Sequence, residues 1–181
     1  MSEKYKMYKG GLFFVTLTVV GWIDVFTRAQ YNDLIIDNLN YCIDKKGLEI
    51  IAFCIMPSHI HLIARTKEDI LLSDVLRDFK SFTSKKIISM IETNQEESRR
   101  EWLLYMFKYF AKYNKHNTMY QFWQQNNHPI DLISNNKWIE EKITYIHQNP
   151  VKAMIVHEDY QFVYSSANRY TKLKIVDRFG F

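Results

Sequence analysis

Two apolar runs rich in β-branched residues, 48–56 (LEIIAFCIM) and 59–65 (HIHLIAR), are separated only by Pro57 and Ser58. Two residues cannot hold a helix or a crossover, so the runs must pair as an antiparallel hairpin. The hairpin also fixes facing, because residues i and i+2 of a strand share a face. His59 and His61 therefore project together from one end of the second hairpin strand. Ile60 points the other way, into a core expected to include Ile55 and Ile63. Two imidazoles on one face suit one divalent ion. They are also what a half-exposed strand with two unrelated histidines would look like, and spacing alone does not choose.

Other elements assemble around the hairpin. Residues 11–20 (GLFFVTLTVV) read as a strand. Thr27 can cap a helix over about 28–46, with Gly47 as its stop. Ser73 and Asp74 open a helix to about Ile91, lined on one side by Val75, Leu76, Phe79, Phe82 and Ile87. The polar stretch 93–100 reads as a loop with Arg99 and Arg100 facing solvent, and 101–113 as a further helix. The stretch 120–133 is irregular and holds at most a short strand. A last helix is expected from about Asn136 to His147, ending before Pro150 because the residue before a proline avoids the α region. This order predicts an α+β fold: a mainly antiparallel sheet with helices packed mainly on one face. We read residues 1–181 as one domain with a helical insertion around 92–119.

Composition narrows the class of partner. Hydrophobic residues are 47% of the chain, enough for a core and too many for global disorder. A net charge of +4 and a pI near 8.9 fit a nucleic-acid partner without requiring one. The aromatic share of 15% suits a core and equally suits stacking on unpaired bases. No apolar run reads as a signal peptide or membrane span, so a soluble cytoplasmic protein is expected, with no membrane partner. Cys42 and Cys54 lie in apolar segments without metal spacing and read as reduced core thiols.

The last helix carries the second chemical feature. Trp138, Lys142, Tyr145 and Asn149 follow helical spacing on one face, and Ile139, Ile143 and Ile146 on another. The isoleucines suit the core and turn the tyrosine face toward a groove. A phenol is a weak nucleophile at neutral pH unless a metal neutralises charge nearby. A packing tyrosine is the plainer alternative. Asn149 could offer an oxygen ligand to magnesium or manganese, or simply cap the helix before Pro150.

The segments IMPSHIHLIA (55–64), YIHQNPVKA (145–153) and SSANRY (165–170) resemble the REP-associated tyrosine transposases and the related single-strand insertion-sequence transposases. These are the single-tyrosine HUH group, with two histidines around one bulky hydrophobic residue. DVFTR (24–28) and LSDVLRDFKSFTSKKI (72–87) also look like the family. The resemblance implies a ferredoxin-like fold and metal-dependent nicking and rejoining of single-stranded or hairpin DNA. It implies Mg2+ or Mn2+ on His59 and His61, with Asn149 in the position of a third ligand. It implies Tyr145 as the nucleophile, leaving a 5′-phosphotyrosine. Ser58 stands where the family commonly has Asn, and Met154 where it commonly has Gly. Expected DNA contacts are Arg77, Lys80 and Lys85 on the 73–91 helix, Trp123 and Gln124 within QFWQQNNH (121–128), and Lys142; His128 could approach the metal or the DNA. Homodimer and monomer both remain open, as does the use of Tyr145 by its own subunit or a partner's. The alternative function is a DNA-binding regulator, derived from such a transposase, that no longer cuts.

Overall fold

A computed structural model describes residues 6–67, 69–114, 119–127, 129–133 and 135–176. Strand β1 (Phe13–Thr18) leads through a 3₁₀ turn (Val20–Trp22) to helix α1 (Ala29–Lys46). Strands β2 (Leu48–Met56) and β3 (His59–Thr66) form the hairpin, with Met56 paired to His59 across the turn. Helices α2 (Leu72–Thr93) and α3 (Arg100–Ala111), the short strand β4 (Ile130–Asp131) and helix α4 (Asn136–Lys152) follow. The strand order is β2-β3-β1-β4, and every pairing is antiparallel. Helix-linked β1 and β2 flank β3, as in the split βαβ arrangement of the ferredoxin-like fold.

Strands β1, β2 and β3 each divide their side chains between two cores. Val15, Leu17, Phe53, Ile55, Ile60 and Leu62 meet α1, α2 and α3 in the larger one. Phe14, Cys54, Met56 and Ile63 meet Ile139 and Ile146 of α4 in the smaller one. Three helices thus cover one face and α4 covers the other. Ile63, expected beside Ile60, instead shares the histidine face, as the period of two requires. Helix α1 stops at Gly47, whose φ of +65° closes the C-terminal turn on the Cys42 carbonyl. A Cβ there would come 2.9 Å from Ile70 Cδ1.

Three local expectations are corrected. Helix α4 does not end before Pro150 but continues to Lys152. Ile146 and Pro150 lie one turn apart and both are buried, so packing holds the last turn on despite the missing N–H. Phe82 is 56% exposed, and Thr83 takes the inward position on α2. The 93–100 loop is not simply solvated: the Glu97 side chain is fully buried. It accepts from Arg28 Nε at 2.5 Å, from the Arg99 backbone N–H at 3.2 Å and from Tyr31 Oη at 3.3 Å. Arg99 also donates to the Asp24 carbonyl and the Thr27 hydroxyl. The DVFTR segment is therefore an anchoring point for the loop between α2 and α3.

Burial alone would raise the Glu97 pKa, but the hydrogen bonds and charges of Arg28 and Arg99 hold it below the usual carboxylate value. Its contribution to stability is present above the ordinary glutamate range and is lost as pH falls through the lowered pKa. Glu97→Gln is expected to lower unfolding stability by about 2 kcal/mol near neutral pH. The gap to the parent should narrow in acid. Urea unfolding at several pH values checks this, and a gap that widens in acid would refute it.

Candidate active site

The β1–β3 register decides what surrounds the histidines. Thr16 pairs with His61 and Thr18 with His59. Thr16 Oγ1 lies 2.9 Å from His61 Nδ1, and Ser58 Oγ lies 3.2 Å from His59 Nδ1. With Nδ1–H donating to each hydroxyl, both Nε2 lone pairs face one point, 3.1 Å apart. Two acceptors so close repel unless a proton or cation sits with them. Two nitrogens about 2.1 Å from one ion at a right angle would stand about 3 Å apart. Burial pushes both rings toward the neutral, ligating form. His61 falls to about 3, with the His59 and Lys142 charges adding to the effect. Ser58 thus orients His59 from the position where the family commonly has Asn.

Helix α4 brings the tyrosine to the same place. The Tyr145 ring is 40% exposed and edge-on to His61, with centroids 5.3 Å apart. It also meets Phe14 edge-on, and Phe14 stacks on His61. Lys142 Nζ lies 4.8 Å from the Phe14 centroid and 5.3 Å from that of Tyr145; Lys152 Nζ approaches Tyr145 at 6.0 Å. Asn149 Nδ2 donates to the Tyr145 carbonyl at 2.7 Å, so the donor end of its amide is engaged and the oxygen is the end able to ligate. Met154, in the family's glycine position, has a φ of +55°.

The chain belongs to the IS200-like transposase family. The family model described as "Transposase IS200 like" matches residues 23–126, which include both histidines and stop before Tyr145. A solved structure of the REP-associated tyrosine transposase bound to a REP hairpin shares the fold. It has a TM-score of 0.60 and 22% identity, covering 92% of this chain and 82% of that one. No curated protein matches the sequence.

His59, His61, Tyr145 and Lys142 converge in this IS200-like chain. Two other residues expected at the DNA are engaged within the protein. The Trp123 ring is buried in the larger core, where its Nε1–H donates to Thr83 Oγ1. Burial lowers Lys80 to about 8, and its ammonium donates to the Gln124 carbonyl and Asn127 Oδ1 at 2.5 and 2.9 Å. That Lys80 bond pins the 121–127 segment. Gln124 is half-buried and its N–H donates to the Thr18 carbonyl, at the His59 end of β1. Arg77 pairs with Asp74 and Asp78, and Lys85 is exposed; both lie on α2, across the sheet from α4. His128 falls outside the described residues. Among those described, no group of three His, Cys, Asp or Glu side chains could hold a metal. No described helix is long and apolar enough to cross a membrane. Thr16, Phe14 and Lys152 had no signal in the sequence, because only the strand register and the α4 crossing bring them in.

Proposed function

We propose that this protein nicks and rejoins single-stranded DNA beside a hairpin, with Tyr145 as nucleophile and His59, His61 and Asn149 as ligands of Mg2+ or Mn2+. The reading is carried by the meeting of Tyr145 with the oriented His59–His61 pair. Two imidazole nitrogens and one amide oxygen suit a hard divalent ion that takes further oxygens from phosphate and water. Such an ion, when bound, polarises the scissile phosphate and neutralises charge that builds in the transition state.

The chain's own groups do the rest. Tyr145 Oη attacks phosphorus in line; the Oη–P bond forms and the P–O3′ bond breaks. The phenol gives up its proton and the leaving 3′-oxygen gains one, so the DNA ends as a free 3′-hydroxyl and a 5′-phosphotyrosine. The new ester keeps the energy of the old one, so attack by another 3′-hydroxyl reverses the step without ATP. Lys142 and Lys152 supply positive charge beside the phosphate. Gln124 would meet the strand at the His59 end of β1, and Arg77 and Lys85 would meet phosphates only away from the cut. The REP hairpin in the similar structure makes hairpins from the gene's own flanking DNA the first substrates to try.

Incubating the protein with those labelled hairpins and manganese tests the proposal. A covalent adduct that survives denaturation, carries the DNA on the 3′ side of the cut through its 5′-phosphate and needs metal is expected. Reversible binding with no adduct would favour the regulator instead.

A further inference from the structure

Trp22 is an exposed aromatic that the nicking chemistry leaves without a task. It follows Gly21 in the 3₁₀ turn after β1, and both residues have left-handed backbones, with φ of +55° and +61°. That conformation is unfavourable for a tryptophan, so something must hold it. Gly21 is what makes the turn fit. A Cβ there would come 2.6 Å from the Phe110 ring, so α3 packs directly on the turn's backbone. The turn carries the Trp22 ring to His59, edge-on with centroids 5.2 Å apart. A tryptophan recruited merely to cover His59 would bury itself there, yet Trp22 is 59% exposed.

The surroundings point to the occupant. Beyond Phe110, Tyr109 and Tyr113 continue an aromatic ridge along the end of α3 and the turn after it, with ring centroids 5.3 Å apart. Lys108 on α3 and Lys112 at its C-cap are both exposed. Aromatic faces interleaved with cations match a single strand, whose bases stack while its phosphates pair with charge. A folded protein partner would offer no reason for that alternation.

We infer that Trp22 is a base-stacking residue that seats a nucleobase of single-stranded DNA next to the His59–His61 pair. The inference deepens the nicking proposal and rests on it for the identity of the strand. Trp22 is a positioning residue: held by the base, the strand lays its phosphate across the histidines.

The test needs no cleavage, so it separates from the adduct assay. In a Tyr145→Phe background, binding of a fluorescein-labelled oligothymidylate is measured by anisotropy. Binding of a wholly abasic strand of the same length and charge is measured beside it. Trp22→Ala should weaken oligothymidylate binding roughly tenfold or more and leave the abasic strand unchanged, and Trp22→Tyr should restore most of the loss. Equal losses on both strands would mean that Trp22 only supports the fold or His59, and would overturn the inference. So would no loss on either strand, or a parent that binds both strands equally well. An absent adduct with an intact base-dependent loss would instead fault the nicking chemistry and keep the stacking site.

Discussion

Tyr145→Phe should abolish the covalent adduct while leaving hairpin binding and folding intact. The substitution removes one oxygen, and that oxygen is the atom that would bond to phosphorus. No other exposed phenol among the described residues is ring-to-ring with His61. The loss should therefore reach the detection floor, at least about a thousandfold. Stability should change by less than about 0.5 kcal/mol, because the ring is 40% exposed and its contacts with Phe14 and His61 are made by ring carbons. Adducts are read on denaturing gels, binding by mobility shift and folding by thermal melt. Residual adduct in this variant would remove Tyr145 from the mechanism. The same variant reports on subunit use. Tyr145 lies ring-to-ring with His61 of its own chain, an arrangement in which mixing Tyr145→Phe with a histidine variant should restore nothing, whereas recovered adduct would mean that the tyrosine serves a partner's histidines.

The second large effect belongs to the histidines. His59→Ala should lower metal-dependent nicking roughly a hundredfold or more, and added manganese should recover only part of it. His59 is the better position to cut back because it is half-exposed, whereas His61 is buried between Phe14 and Tyr145. Loss of His61 would mix a cavity with a missing ligand. Rates are measured across a manganese titration. A variant that matches the parent at saturating manganese would leave the pair without a catalytic task.

The sheet was readable from sequence because its signals are local. A two-residue turn forces a hairpin, and the hairpin forces His59 and His61 onto one face. Long-range effects were hidden. Thr16 meets His61 only through the β1–β3 register, which neither strand encodes alone. Glu97 sits in a polar string and is buried because Arg28 and Arg99 come from either side to neutralise it. Trp123 and Phe122 have neighbours that suit a base-reading loop, yet Thr83 and the larger core claim the ring. At Pro150 the local rule for ending a helix was overruled by packing of the turn that carries it.

Helix α4 does two jobs at once: it carries Tyr145 and, among the described residues, is the one α-helix over the smaller core. Ile139 and Ile146 alone contribute about 3–6 kcal/mol of burial, comparable with a whole domain's margin of stability. Cutting the chain before α4 would strip the sheet and unfold the protein, whereas changing one phenol would not. The proposed nucleophile is thus cheap to lose and its support is not. In evolutionary terms, lineages that stop moving DNA should shed the tyrosine by substitution and keep the isoleucine stripe. Among family sequences with another residue at this position, apolar residues should persist at 139 and 146; a stripe that decays together with the tyrosine would contradict this.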